Sequence, residues 1–283
     1  MKYLIWGGSG WIGSMLCTLL IKQGHTVIVA KSRIQDLPEI TKELAKVCPD
    51  RVLNTAGITG CPTVDWCEDN KEETYLINTI GIANLAHACW LYKIHLTNYA
   101  TGCIYTYGDE LGRKFNELDA PNFEGSTYSK SKVLAEKLLE PYISSVLTLR
   151  IRMPISDDLH SKSLVSKLIK YTKVVNIPNS LTVLSELLPI SLTMSEQQLV
   201  GIYNFTNPGT ISHNEILELY KKYVNPQFVW QNFSEAEQNV ILKSKRSNCE
   251  LDVSKLLAVH SVTSVKEAMT QVMQRIASKY VLI

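Results

Sequence analysis

The sequence predicts an α/β fold in which helices cover both faces of a doubly wound parallel sheet. The first observation is alternation, because β-rich runs are separated by helical patterns: "KYLIW", "IGSMLCTLLIKQ", "HTVIVA", "PEITKELAKV" and "RVLNTAG". The second is a glycine-rich turn between the first strand and the first helix. The third is an ordinary globular composition, with 45% apolar and 20% charged residues, which is enough to build a sizeable core.

The elements of the predicted sheet follow one another in order. Apolar residues from Ile12 to Leu20 recur at helical spacing in the first helix, and Gly24 suits the left-handed cap that ends it. A long helical stretch is predicted over residues 70–92. After it come a strand, a helix and a further strand: "IHLTNYATGC", "SKSKVLAEKLLEPY" and "VLTLRIR".

Two lobes are predicted. Residues 1–154 form the nucleotide-binding domain, to which residues 176–204 return, and residues 155–283 form mostly a smaller, C-terminal substrate-binding lobe. Helix starts in the second lobe are marked by two capping boxes, Ser212 with Glu215 and Ser234 with Glu237.

Composition excludes several classes of partner. Lys and Arg total 29 against 27 for Asp and Glu, so no charge excess favours nucleic acid. The start "MKYLIWGGSGWIG" lacks the apolar run of a signal peptide, and no segment is apolar enough to span a membrane. The cysteines are odd in number and have no metal-ligand spacing, which favours reduced thiols, no metal site and a cytoplasmic location. They stand at positions 17, 48, 61, 67, 89, 103 and 249.

The turn "WGGSGWIG" is a candidate phosphate-binding site. Gly7, Gly10 and Gly13 follow a strand and open a helix, where glycines let the backbone approach a pyrophosphate and the helix dipole attracts its charge. Trp11 and Ile12 lie in the same turn and belong to the predicted cofactor site. The spacing G-x-x-G-x-x-G also fits a tight strand-to-helix turn with no ligand.

The end of the second strand predicts which dinucleotide binds. An acidic residue there would bind the ribose 2′-hydroxyl, whereas this chain has Lys31, Ser32 and Arg33. A guanidinium and a hydroxyl suit a 2′-phosphate, so NADPH is favoured over NADH, unless the two cations only face solvent. The predicted cofactor-binding set also includes Ala56, Gly57 and Tyr99.

Four residues form the candidate catalytic set. If the strand through "YATGC" stays extended, Thr101 and Cys103 share one of its faces. Tyr128 and Lys132 stand four apart at the start of a helix and so lie on one helix face. We expect the ammonium to lower the pKa of the phenol toward the range of a general acid and to hold the ribose next to the nicotinamide.

These residues resemble those of a known family. The chain is similar to the extended short-chain dehydrogenase/reductases, which have a Rossmann sheet, at these positions: Gly7, Gly10, Gly13, Thr101, Tyr128 and Lys132. Within that family it resembles the bifunctional UDP-4-keto-6-deoxy-D-glucose 3,5-epimerase/4-reductases, the plant and giant-virus type of UDP-L-rhamnose synthase. The segments that carry this similarity run from about residue 3 to about residue 270: "YATGCIY", "TVDWCE", "LRIRMPIS", "VVNIPNS", "ELLPIS", "GIYNFTNPG", "SHNEILE" and "RSNCELD".

The resemblance implies a two-step reaction on a 4-keto sugar nucleotide. The protons on C3 and C5 both neighbour the C4 carbonyl, so a base can remove them if the C4 oxygen is stabilised. The family pattern gives that oxygen to Thr101 and Tyr128. It makes Cys103 the base and Lys167 the group that protonates the other ring face. Hydride from NADPH would then reduce C4 while Tyr128 supplies the proton.

The resemblance also implies contacts and partners. Arg152, Met153, Arg246 and Asn248 stand in segments that border the nucleotide-sugar in related reductases. The 4,6-dehydratase half of the plant enzymes is absent here, so a separate 4,6-dehydratase is expected to supply the substrate. A homodimer is expected to form through helices that hold residues 70–92 and 128–140.

Two alternatives remain open from the sequence. The chain could be a nucleotide-sugar 4-keto reductase without epimerase activity, in which Cys103 is an ordinary core cysteine. It could also be a non-catalytic NADP-binding regulatory subunit, although the presence of Thr101, Tyr128 and Lys132 counts against this. The choice between UDP and dTDP is also open.

Overall fold

The computed structural model describes residues 1–60, 63–108 and 110–280. Cys61, one of the seven cysteines, lies outside the described residues. Two compact units can be distinguished. Unit 1 comprises Met1–Ile104, Pro121–Arg150 and Pro189–Tyr203, and unit 2 comprises Tyr105–Ala120, Ile151–Leu188 and the chain from Asn204 onward.

Unit 1 is built around a parallel sheet. Its strands are β1 (Lys2–Trp6), β2 (Thr26–Val29), β3 (Arg51–Asn54), β4 (His95–Thr101), β6 (Val146–Ile151) and β8 (Gly201–Asn204), in the spatial order β2-β1-β3-β4-β6-β8. The chain leaves β1 for β2 on one side and returns to β3 on the other, which creates the switch point where such sheets bind ligands. The predicted fold class is confirmed.

Helices flank this sheet. They are α1 (Trp11–Lys22), α2 (Leu37–Val47), α3 (Trp66–Asp69), α4 (Lys71–Tyr75), α5 (Ile82–Leu91), α6 (Thr127–Leu139) and α8 (Leu184–Glu196), the last of which contains Pro189 and begins in unit 2. As predicted, α1 ends near Gly24, which has a φ of 81° that an L side chain rarely adopts. The core of unit 1 packs helix side chains such as Ile40, Leu85 and Ala135 against strand residues such as Val52 and Leu96.

The long helical stretch predicted over residues 70–92 contains a wide turn. A π-helical segment, Leu76–Gly81, separates α4 from α5. Such segments are rare and often lie at functional sites, because they redirect side chains out of the regular helical spiral. Here the segment carries Asn78, which is buried.

The strand predicted to run through "IHLTNYATGC" is shorter than expected. β4 ends at Thr101, and Cys103 lies in the turn that follows. The condition on which these two side chains would share a strand face, an extended chain through Cys103, is therefore not met, since alternation holds only within an extended strand. The turn is fixed instead by the Cys103 N–H, which donates to Thr101 Oγ1 at 3.1 Å.

Unit 2 has helices and short strand pairs around its own core. It contains β5 (Lys114–Phe115) paired with β10 (Glu250–Leu251), β7 (Lys173–Val174) paired with β9 (Gln231–Asn232), and helices α7 (Leu164–Leu168), α9 (His213–Tyr223), α10 (Glu235–Ile241), α11 (Ser254–Leu257) and α12 (Val265–Tyr280). Both predicted capping boxes are confirmed, at the starts of α9 and α10. The core of unit 2 packs α9 and α12 together through residues such as Ile216, Leu217, Met269 and Val272.

Among residues 1–60, 63–108 and 110–280, no helix combines the length and apolar character that crossing a bilayer requires.

Candidate functional site

The glycine-rich turn of unit 1 has the geometry of an anion cradle. Gly7 has a φ of +75°, and the Gly10 N–H donates to its carbonyl at 2.9 Å. A Cβ added to Gly13 would lie 2.1 Å from that same carbonyl, so no larger residue fits. Helix α1 starts here with no side-chain cap and no acidic residue in its first turn, which leaves its positive dipole end available to a pyrophosphate. Trp11 and Ile12 occupy this first turn.

A second loop lines the same sheet edge after β3. Asn54 and Asn78 hold it from opposite ends: Asn54 Oδ1 accepts the Ala56 N–H at 3.1 Å, and Asn78 Oδ1 accepts the Ile58 N–H at 2.8 Å. The Asn78 amide also donates to the Ile58 carbonyl at 2.9 Å. Ala56 and Gly57 of the predicted cofactor set are thus held in a fixed backbone conformation.

Lys132 reaches this loop from α6. A Cβ added to Gly57 would lie 3.1 Å from Lys132 Nζ, so the glycine leaves space for the amine. Burial lowers the pKa of Lys132 to about 8, despite Glu136 and Cys67, which favour its charged form. The amine therefore remains mostly cationic at neutral pH, beside a backbone segment at the ligand-binding edge of the sheet.

The Thr101 hydroxyl lies next to two of the other candidate catalytic residues, Cys103 and Tyr128. Thr101 Oγ1 accepts the Cys103 N–H, and the same hydroxyl is hydrogen-bonded to the Tyr128 side chain. Cys103 also interacts electrostatically with Tyr128, so the thiol and the phenol are neighbours. Thr101 is buried, whereas Cys103 and Tyr128 are half-buried and keep some exposed surface. The structure thus brings together three of the predicted catalytic residues.

The expected effect of Lys132 on Tyr128 is wrong. Burial, together with the neighbouring Cys103 and Cys67 thiols, raises the pKa of Tyr128 well above its usual value, and the bond with Thr101 opposes this only partly. The Lys132 amine lies close to Gly57 and does not offset the effect of burial on the phenol. Tyr128 is therefore a protonated phenol at neutral pH, which can donate a proton but cannot act as a base.

Two residues that the sequence reasoning missed hold the first turn of α6. The Ser129 hydroxyl donates to the Cys103 carbonyl at 2.6 Å, which ties the cysteine turn to the helix that carries Tyr128. Glu68 accepts both the Thr127 N–H and the Thr127 hydroxyl at 2.7 Å, one residue before Tyr128. The only signal for Glu68 in the sequence was its place in the family segment "TVDWCE".

Tyr99 and the loop after β2 complete the predicted cofactor set. Tyr99 is buried, and its hydroxyl forms a 2.5 Å hydrogen bond with that of Ser191, so this polar group is used inside unit 1. Arg33 is exposed and Ser32 half-exposed in the loop that follows β2. Contact of these three residues with a cofactor remains a prediction.

Arg152 of unit 2 is only 1% exposed, contrary to the picture of an arginine open to a diphosphate. Its guanidinium donates to Ser247 Oγ at 2.7 Å, to the Ser247 carbonyl at 2.6 Å and to Asn179 Oδ1. Asn179, which the sequence reasoning also missed, donates to Asn248 Oδ1 at 3.0 Å. Arg152 therefore positions the chain around Asn248, and its direct contact with a substrate remains a prediction.

Lys167, Arg246 and Met153 also lie in unit 2. Partial burial of the Lys167 amine lowers its pKa, and the positive charges of Lys162 and Arg246 act in the same direction. The Arg246 guanidinium donates to the Ser244 carbonyl and hydroxyl at 2.8 and 2.7 Å. Met153 has a φ of 40°, a left-handed conformation that costs energy for a residue with a side chain.

No group of three or more His, Cys, Asp or Glu side chains that could hold a metal ion is found in the part of the chain that the structure describes.

The chain is similar to known proteins over most of its length. Residues 3–172 match the NAD dependent epimerase/dehydratase family. A bifunctional dTDP-4-dehydrorhamnose 3,5-epimerase/dTDP-4-dehydrorhamnose reductase of Arabidopsis thaliana is 48% identical over 274 residues, which cover 95% of this chain and 91% of that protein. The chain belongs to the NAD dependent epimerase/dehydratase family.

Two further relatives differ in how much of their own length this chain covers. An Arabidopsis trifunctional UDP-glucose 4,6-dehydratase/UDP-4-keto-6-deoxy-D-glucose 3,5-epimerase/UDP-4-keto-L-rhamnose-reductase is 47% identical over 275 residues; the match covers 95% of this chain but only 41% of that protein. The crystal structure of the L780 UDP-rhamnose synthase from Acanthamoeba polyphaga mimivirus is 38% identical, with a TM-score of 0.94, covering 97% of this chain and 99% of that one.

The clamp between Glu68 and Thr127 predicts a stability effect. Glu68→Ala would remove both acceptors and leave a largely buried N–H and hydroxyl of Thr127 without them, so we expect the free energy of unfolding to fall by about 2 kcal/mol. Urea denaturation measures this. Glu73→Ala, on the exposed face of nearby α4, is the matched control and should change stability by less than about 0.5 kcal/mol. Equal effects of the two substitutions would contradict the assigned role of Glu68.

Proposed function

We propose that the protein converts UDP-4-keto-6-deoxy-D-glucose to UDP-β-L-rhamnose, by epimerisation at C3 and C5 followed by NADPH-dependent reduction at C4. The observation that carries this proposal is the pairing of a thiol with a protonated phenol, Cys103 beside Tyr128, with Thr101 bonded to both segments. A reductase alone needs the phenol but not the thiol. The bifunctional Arabidopsis relative has both activities in its name.

The cofactor proposal rests on the fit of unit 1 to a dinucleotide. The turn from Gly7 to Gly13 and the uncapped start of α1 would hold the pyrophosphate, and Lys132 at Gly57 would hold the ribose next to the nicotinamide. Arg33, exposed after β2, suits a 2′-phosphate. A bound NADPH supplies the hydride.

Reduction of C4 requires a proton for the oxygen, and Tyr128 is the proposed donor. The Thr101 hydroxyl has one proton, and its oxygen already accepts the Cys103 N–H. A hydrogen bond donated by this proton to Tyr128 Oη would stabilise the phenolate. This agrees with the effect of the Thr101 bond, which lowers the pKa of Tyr128. The phenol proton itself is then left to donate to the sugar oxygen, and Thr101 supports the phenolate that remains.

Epimerisation requires a base at C3 and C5, and Cys103 is proposed for this step. The thiolate removes a proton next to the C4 carbonyl, and the negative charge moves to the C4 oxygen, which the Tyr128 proton stabilises. The proton returned to carbon from the other side inverts the centre. One polarised carbonyl thus serves both epimerisation and reduction.

Lys167 is the proposed source of the returning proton. Its lowered pKa, caused by burial of the amine and by Lys162 and Arg246, makes it a better proton donor than an ordinary lysine. Arg246 is proposed to bind the diphosphate of the substrate, with Met153 and Asn248 near the nucleotide. Arg152 would support Asn248 through its bond to the adjacent Ser247 carbonyl.

We also propose a setting for this reaction. A 4,6-dehydratase is expected to supply the 4-keto sugar, since the trifunctional relative combines that activity with the two proposed here. The cytoplasm is the proposed location, because none of the six described cysteines forms a disulfide.

The reaction itself is tested with the purified protein. When it is mixed with UDP-4-keto-6-deoxyglucose and NADPH, the absorbance of NADPH should fall at the rate at which product forms. NMR of the product should show UDP-β-L-rhamnose. A product with the gluco arrangement at C3 and C5 would support a reductase without epimerase activity. No loss of NADPH would support the regulatory-subunit alternative.

The role of the thiol is tested by Cys103→Ser. A serine hydroxyl is too weak a base, so exchange of the C3 and C5 protons into deuterated water should fall at least about 100-fold, while NADPH binding stays unchanged. Cys48→Ser is the control, because it changes an exposed cysteine at the end of α2. This variant should exchange the C3 and C5 protons at the wild-type rate. Unchanged exchange in Cys103→Ser would remove the cysteine from the mechanism.

A homodimer is the proposed assembly. Large apolar side chains are exposed on the wide turn, on α5 and on α6, where a monomer would leave them in water: Leu76, Ile80, Trp90, Leu91, Leu134 and Leu138. A two-fold interface between these helices of two copies would bury them.

Light scattering tests the assembly. The wild type should give twice the chain mass of 31.8 kDa at micromolar concentration. Leu134→Glu should shift the mass toward the monomer because it places a charge in the interface, whereas Leu118→Glu, at a side chain that is 95% exposed in unit 2, should not. A wild-type mass of 31.8 kDa would reject the dimer.

A further inference from the structure

A carboxylate from helix α2 is bonded to the backbone of the loop that follows β2. Glu43, on α2, accepts the backbone N–H of Lys31 through Oε1 and that of Ser32 through Oε2, both at 2.8 Å. The sequence reasoning found only the cations and the hydroxyl of this loop, since Glu43 stands eleven residues further along the chain.

The loop lies at the ligand-binding edge of the sheet. β2 pairs in parallel with β1 up to Val29, and the Ala30 N–H donates to the Ile5 carbonyl at 2.9 Å. A Cβ added to Gly8 would lie 2.8 Å from the Val29 side chain, so the glycine-rich turn packs directly on the end of β2. In a sheet of this topology, the end of the second strand meets the adenosine ribose of the dinucleotide.

Glu43 is ionised in this position. Burial alone would raise its pKa, but the hydrogen bonds from Lys31 and Ser32 outweigh that effect and lower it. The loop therefore presents a negative charge together with the positive charges of Lys31 and Arg33, and two of its backbone N–H groups are already bonded.

These contacts have opposite consequences for the two forms of the coenzyme. A ribose hydroxyl can donate to a carboxylate, whereas a 2′-phosphate is repelled by it and loses two backbone donors that it would otherwise use. We propose that Glu43 limits the preference of this site for the 2′-phosphorylated coenzyme, so that the protein also binds the form with a free 2′-hydroxyl. This inference rests on the proposed dinucleotide-binding function.

The test is calorimetric titration of the full chain with NADPH and with NADH. Glu43→Gln removes the charge and releases one of the two N–H groups, so the Kd for NADPH should fall about tenfold while that for NADH changes less than about twofold. Glu43→Asp keeps the charge and should keep the wild-type ratio of the two Kd values. Glu39→Gln, an exposed glutamate of the same helix paired with Lys42, is the matched control and should also keep that ratio.

Each other outcome overturns the inference or the function on which it rests. An unchanged or higher Kd for NADPH in Glu43→Gln overturns the role of Glu43. A parallel loss of both affinities also overturns it, because Glu43 would then hold the loop without discriminating. Failure of the wild type to bind either dinucleotide would instead reject the proposed function. The two failures can be told apart, because the inference concerns only the ratio of the two Kd values.

Discussion

The hydrogen bonds of one hydroxyl determine the arrangement of the reactive groups in unit 1. Thr101 Oγ1 accepts the backbone N–H of Cys103 and is bonded to the Tyr128 side chain. One oxygen therefore links the turn that carries the thiol to the helix that carries the phenol. The bond from the Cys103 N–H lies just after the end of β4 and fixes the turn that carries the thiol.

The remaining contacts around this hydroxyl reduce the freedom of the helix that carries Tyr128. Ser129 binds the Cys103 carbonyl, and Glu68 binds the backbone and side chain of Thr127. The first turn of α6 is therefore held on two sides before any ligand binds. Groups placed in advance in this way need not be ordered during the reaction, which is the main contribution that a protein makes to proton transfer.

The sequence predicted the parts of the structure that local rules determine. The glycine turn follows from backbone geometry, and the capping boxes at Ser212 and Ser234 follow from hydrogen bonding within four residues. Thr101, Cys103 and Tyr128 lie near one another, although strand alternation does not explain this because β4 ends at Thr101.

Contacts between distant segments could not be read from the sequence. The Tyr128 pKa depends on burial and on two thiols, and the partner of the β2 loop, Glu43, belongs to another element. Arg152 was placed at the substrate by the resemblance of its segment, and its burial against Asn179 and Ser247 could not be read from the sequence. The segment Leu76–Gly81 illustrates the same limit for backbone shape, since propensity predicts a helix but not its width.

In the wide turn Leu76–Gly81, the number of residues between successive contacts is fixed. Asn78 holds the Ile58 backbone, Thr79 bonds to Ser131 of α6 at 2.8 Å, and Gly81 lies so close to Ile34 that a Cβ would approach it to 2.6 Å. Removing one residue would turn the following side chains by about 100° around the helix axis and break this set of contacts together. A deletion in this segment would therefore affect the contacts with Ile58, Ser131 and Ile34 together, whereas a substitution at one position affects only the contacts of that residue.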